Sequence, residues 1–195
     1  MAESPATPGP FRHVAFFYRA AKEYATTVAA FLGDGVAAGE PTFVAVPEGR
    51  RSLVADALGA DARRVEFADM TEMGRNPARI IPRVQAFIDL HAGQHVRYVG
   101  EPIWASRSRA ELREATRHEA LINLAFAGAD AEILCPYDTT RLGQTVIAEA
   151  RQTHPLLLSG GVAGTSAEYS GPFGLPSSCG APLPARPDTA EKELR

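Results

Sequence analysis

Glu101, Trp104, His118, Glu119, Asn123, Cys135, Tyr137 and Asp138 are the residues of this sequence whose types and spacing could do chemistry. Three chemistries are open to them. Cys135 could be a thiolate nucleophile with His118 as its base and Glu119 beside them, as in a hydrolase or transferase. Glu101 and Trp104, the only tryptophan, could instead hold a small molecule, the indole giving a flat apolar wall and the acid a polar anchor. A metal site from His118, Glu119 and Cys135 is the weakest of the three. Neighbouring helical residues point about 100° apart, which is poor for shared ligation. The run His118-Glu119-Ala120-Leu121-Ile122 lacks the second histidine of a zinc-protease helix.

Each candidate also has a plain structural reading, and these stay open. Glu101 can cap backbone amides in a rigid loop anchored by a half-buried indole. Glu119 falls in the middle of a helical stripe of Leu112, Ala115, Ile122 and Phe126. A carboxylate there must be paired, hydrogen-bonded or protonated. With His118 and Asn123 it could face a pocket, or it could tie the helix to Arg97, Tyr98 or the Glu101 loop. Cys135 is as readily a small buried residue, and Asp138 as readily a helix cap. His13 reads as structural, and His91 and His95, in a connecting loop at the far edge, receive no role. His13 precedes the core of the first strand, at the end away from the expected ligand edge, and His154-Pro155 reads as a helix stop.

The elements that must position these residues alternate. Apolar runs at 13–18 (HVAFFY), 42–46, 65–68, 96–100 and 132–135 read as strands. Helical stretches at 20–38, 50–58, 77–91, 108–126 and 140–153 separate them. Gly33 and Gly35 weaken the last turn of the first helix, which could end early. Pro82 could kink the third. Ser108 and Glu111 form a capping-box pattern. The alternation predicts an α/β fold, a mostly parallel five-stranded sheet with helices on both faces. Ligands bind such sheets beyond the carboxyl ends of the strands. Tyr18 closes the first strand there, Glu101 and Trp104 follow the fourth, and Cys135, Tyr137 and Asp138 stand at the fifth.

Composition narrows the classes. The 195 residues are 45% hydrophobic and 22% charged, with a formal net charge of -3 and no basic run, which argues against direct nucleic-acid binding. Cys135 and Cys179 do not read as a disulfide framework. No apolar run approaches the roughly 18 residues of a membrane span, and residues 1–10 lack the features of a signal peptide, so a cytoplasmic location is expected. Those ten residues read as a disordered leader, 11–158 as the domain, and 159–195 as a Gly/Pro/Ser-rich tail or linker. After the first strand comes Tyr18-Arg19-Ala20-Ala21-Lys22, without the glycines that let backbone amides reach phosphates.

Several segments together resemble a known family: HVAFFY, GVAAGEPTFVAVP, RRVEFADM, GRNPARIIP, GEPIW, RHEALINLAF and CPYD. Over residues 11–155 the chain is similar to the MEDS sensory domain of methanogen and methylotroph regulators of the dichloromethane-repressor type. It most resembles versions that precede a histidine-kinase-like ATPase domain in anti-sigma-factor regulators. The resemblance implies a RecA/KaiC-like fold without its phosphate loop, and a sensory role with a small, hydrocarbon-like ligand. No catalytic set, metal or cofactor comes with it. The expectation is therefore a small-molecule-sensing module of a signalling or transcription-regulating protein. Its ligand would touch Tyr18, Glu101, Trp104, His118, Glu119, Asn123, Cys135, Tyr137 and Asp138. Its partner would be a protein or fused ATPase domain, with a homodimer left open. An enzyme built on Cys135 and a pure interaction scaffold are the alternatives.

Overall fold

A computed structural model describes residues 11–171 and 173–174. The expected leader, Cys179 and most of the expected tail lie outside the described residues. The elements run β1 (Arg12–Tyr18), α1 (Ala21–Ala38), β2 (Thr42–Val46), α2 (Glu48–Leu58), β3 (Val65–Asp69), α3 (Met70–Met73), α4 (Ile80–Leu90), β4 (Val96–Gly100), α5 (Arg109–Ala125), β5 (Ala131–Asp138), α6 (Gln144–Thr153), β6 (Leu156–Ser159) and β7 (Val162–Thr165).

The sheet has seven strands in the order β3-β2-β4-β5-β1-β6-β7. All neighbours pair in parallel except β6 and β7, which form an antiparallel hairpin. This corrects the expected count of five. The two added strands have four residues each and turn through Gly160 and Gly161, both at positive φ. Glycine at both turn positions suits a tight hairpin. Its composition resembles a linker, so only the pairing of β6 with β1 identifies it as sheet.

Strand side chains alternate between two apolar layers. Val14, Phe16 and Tyr18 of β1 pack with Tyr24, Val28 and Leu32 of α1 and Val54 of α2. Ala15 of β1 and Ile133, Cys135 and Tyr137 of β5 face the other way, toward Val84 of α4, Ile122 of α5 and Ile147 of α6. The layers follow from the crossovers. The chain steps one way across the sheet through β1, β2 and β3, then the other way through β4, β5 and β6. Right-handed crossovers in opposite directions put their helices on opposite faces. β2 and β4 are neighbours whose crossovers leave in opposite directions, so the crevice of a doubly wound sheet opens beyond their carboxyl ends.

The first helix spans Ala21–Ala38 and closes at Gly39, whose φ is 75°, as its composition predicts and without the early end that Gly33 and Gly35 left open. Gly35 instead marks close packing, since a Cβ there would lie 2.7 Å from Arg97 Cδ and 2.8 Å from Thr42 Cγ2. Pro82 produces no interior kink, because a 3-10 turn at Pro77–Arg79 comes first and α4 begins at Ile80. Pro82 thus occupies the first turn, where its missing N–H has no helical partner to lose. The Ser108–Glu111 capping box forms as expected.

Candidate functional site

The nine residues expected at one ligand edge are divided by the structure between two places. Glu101, Trp104 and Asp138 line a cavity of about 390 Å³ beyond the carboxyl ends of the strands, together with Arg50 and Ile103. Tyr18 lies just beneath it, bonded to Glu101 and Arg50. Glu119, Asn123 and Cys135 belong to a second, buried cluster between the sheet and helices α5 and α6, with His118 and Tyr137 also buried.

The cavity sits at the β2/β4 switch point. Glu101 follows β4 directly and its N–H donates to Ala45 O of β2. This fixes the side chain over the α1 face, where it is 4% exposed. Tyr24 Oη donates to Glu101 Oε2 at 3.1 Å and Tyr18 Oη reaches Oε1 at 3.5 Å. Burial raises the Glu101 carboxyl from 4.5 to about 7, against the opposing pull of Arg50 and the two phenols. Burial and the nearby Glu101 push both tyrosines above the ordinary phenol range. Arg50 of α2 donates to Tyr18 Oη at 2.9 Å and to Asp138 Oδ2 at 3.1 Å, with its guanidinium over the rings of Tyr18 and Tyr24. Asp138 also accepts from the backbone N–H and hydroxyl of Thr140. Asp138 is thus a rim residue that also closes a turn at Thr140; it is not the expected helix cap, because the last helix begins only at Gln144, after Gly143.

Trp104 forms the opposite wall. Its ring is covered by the Arg107 guanidinium, 3.7 Å from the ring centroid. Arg107 is buried and donates to Pro102 O at 2.6 Å and Gly74 O at 2.7 Å. Desolvation lowers it to about 10. Arg107 therefore splints the loop that presents the indole. Arg50, Tyr24 and Arg107 were missed in the sequence because each lies on an ordinary helix or loop with no motif around it.

The second cluster rests on the other face of β1 and β5. Cys135 is not at the strand end: β5 runs on to Asp138, and Cys135 sits opposite Ala15 inside the sheet, 1% exposed. The imidazole against its sulfur is that of His13, with Nε2 at 3.4 Å from Sγ, where the sequence suggested His118. Glu119, fully buried on α5, brings Oε2 to 3.1 Å from His13 Nε2 and 3.2 Å from His154 Nε2. The His13 and His154 rings lie tilted against each other with centroids 3.9 Å apart and planes 38° from parallel, and Tyr137 meets His154 edge-on at 5.5 Å. His13 Nδ1 meets Asn123 Oδ1 at 3.1 Å, and His154 Nδ1 meets Ala150 O at 2.7 Å. Burial first, then the neighbouring His154, lowers His13 to about 4. Burial and the Glu119 carboxylate raise the Cys135 thiol well above its usual range. His13 thus does more than support the strand, and His154 does more than stop a helix. The i to i+2 alternation of β1 and β5 carried the signal, since it puts positions 13, 15, 133, 135 and 137 on one face. His118 is buried with Nδ1 lacking a hydrogen-bond partner.

The architecture and the cavity define a class: a parallel α/β domain whose crevice carries an acid, two phenols and a guanidinium in place of phosphate-binding glycines. Residues 12–155 match the family MEDS, the MEthanogen/methylotroph, DcmR Sensory domain, and the chain belongs to that family. A search of curated proteins returns no match. Among solved structures, one titled as an ATPase domain aligns over 76% of this chain and 68% of its own length, with 9% identity and a TM-score of 0.46. Among the described residues, no helix is long and apolar enough to cross a membrane.

Proposed function

We propose that the domain senses a small molecule in the cavity at the β2/β4 switch point and passes its occupancy to a partner protein or fused ATPase domain. The observation that carries this reading is Glu101, a buried carboxyl held by two phenols at the floor of an open cavity. A carboxyl that titrates near pH 7 can both donate and accept hydrogen bonds, so it can bind a hydroxyl, carbonyl or amine. Trp104 and Ile103 supply an apolar wall, and Arg50 a fixed cation. The ligand class that fits is a small organic molecule with one polar end, in keeping with the small, hydrocarbon-like ligand that the family resemblance implies. A RecA/KaiC-like ancestry, a cytoplasmic setting and an anti-sigma-factor context belong to the same reading. Cys135 chemistry is not favoured, because its thiol is buried and lies away from the cavity residues.

The chain's single tryptophan reports on the cavity. Small alcohols, aldehydes, amines and halogenated hydrocarbons should be screened for a change in Trp104 emission together with thermal stabilisation. The expected result is a ligand giving both, with affinity reduced about 10–100-fold in Arg50→Ala and Glu101→Gln, the range for hydrogen bonds to charged groups. A ligand that stabilises the wild type and both variants equally would place the site elsewhere.

A further inference from the structure

The His13, Glu119, Cys135 and His154 cluster is independent of the cavity, and its hydrogen-bond accounting does not close. Asn123 Nδ2 faces three carbonyls, at 2.8 Å from Thr153 O, 3.3 Å from Ala120 O and 3.4 Å from Glu119 O. Carbonyls only accept, so the amide NH₂ points at them and Oδ1 points at His13 Nδ1. Nδ1 of His13 therefore carries the proton. Ala150 O settles His154 the same way, since Nδ1 must donate to it. With Nδ1 of each ring committed in this way, both Nε2 atoms face Oε2 of Glu119, and in the neutral ring form each presents a lone pair to it. Two ring nitrogens and one carboxylate oxygen converge, and in that form the Cys135 S–H is the one proton the four residues have left to share. Glu119 Oε1 and His154 Nε2 are buried without a hydrogen-bond partner. Such orphaned acceptors are costly in a dry interior.

A single cation would take up both ring lone pairs, one carboxylate oxygen and the sulfur. The four residues offer ligand atoms within 4.8 Å of one another. Tetrahedral zinc, with metal–nitrogen and metal–sulfur bonds of about 2.0–2.3 Å, spaces its ligand atoms by roughly 3.3–3.6 Å. The cluster already has 3.1, 3.2 and 3.4 Å between its ligand atoms. Metal-bound histidines characteristically donate their second N–H to a carbonyl or carboxylate, fixing the tautomer. Here Asn123 Oδ1 and Ala150 O accept those protons. One thiolate and one carboxylate also neutralise a divalent ion, so the filled site buries no net charge.

We propose that His13 Nε2, His154 Nε2, a Glu119 carboxylate oxygen and the Cys135 sulfur form a closed, four-coordinate site for a zinc-class divalent transition metal. On binding, the sulfur–metal bond forms as the Cys135 S–H proton leaves to solvent; the imidazoles and carboxylate bind without losing protons. Four protein ligands leave no open position, so the ion clamps β1, β5, α5 and the α6–β6 junction together rather than activating water.

The test uses the full, tag-free chain, stripped with chelator and titrated with Co(II), then Zn(II). The expected result is uptake of about one ion per chain, with the intense visible bands of tetrahedral cobalt, a near-ultraviolet thiolate-to-cobalt band, and displacement of both by zinc. Cys135→Ser should abolish the thiolate band, and Asn123→Ala should keep it while weakening affinity about 10–100-fold. If Cys135→Ser does not fold, the wild-type spectrum alone decides. A folded wild type that takes up neither ion, a spectrum without the thiolate band, or a band that survives in folded Cys135→Ser and so belongs to Cys179, would each overturn the proposal.

Discussion

Glu101 is held partly protonated by its surroundings, and that has a sign in pH. Its carboxyl rises from 4.5 to about 7 on burial. A group whose folded value is raised binds more protons in the native state, so its stabilising contribution is complete below about 4.5 and disappears as pH climbs through about 7. The expected outcome is that Glu101→Gln gains stability relative to wild type between those values, by a total on the order of 3 kcal/mol. Urea unfolding of both proteins across that window checks this, and parallel pH profiles would refute it. Glu101, Trp104 and Asp138 were legible in the sequence because they stand at or just beyond strand ends, where the fold class says to look. Arg50, Tyr24, His13 and His154 were not. Their roles depend on which strands and helices become neighbours, and that follows from crossovers that no local pattern records.

At the scale of the element, Gly35 and Ser108 show two ways a helix is held in place. Any Cβ at Gly35 must displace Arg97, which is itself anchored by Glu40 at 2.6 Å and Phe31 O at 3.2 Å. Gly35→Ala is therefore expected to destabilise by about 1–3 kcal/mol, outweighing the gain of about 1 kcal/mol in helix propensity. A stabilised variant in denaturant titration would mean that Arg97 yields freely. Ser108→Ala removes the acceptor for Glu111 N–H and should cost about 1 kcal/mol by the same measurement. The capping box was readable because it is a local signal, confined to one turn. The close approach at Gly35 was not, because the glycine reads as a helix breaker until the strand behind it is known. The β6–β7 hairpin escaped for a related reason: short strands around two glycines resemble a linker until β1 pairs with one of them.

At the scale of the whole molecule, β6 covers the edge of β1, pairing Val14, Ala15 and Phe16 with Leu156, Leu157 and Leu158. The family match ends at residue 155, just before this strand. A chain ended after residue 155 should leave β1 as an exposed apolar edge, a template for aggregation. Its melting temperature is expected to fall by several degrees, with loss of solubility. Equal melting temperatures for that chain and one ended after residue 174 would show the hairpin to be dispensable.

The position of β1 also bears on how the protein is made. It is the first strand of the domain to leave the ribosome, yet its sheet partners are β5 and β6, with Arg12 opposite Glu132 and Val14 opposite Leu156. β2, β3 and β4 pair among themselves and can assemble early. The apolar run HVAFFY must wait through most of the domain's translation before it has a neighbour on either side. During synthesis this domain therefore carries an apolar strand unpaired through most of its translation, and a holdase that binds extended apolar chains would find a substrate at residues 13–18.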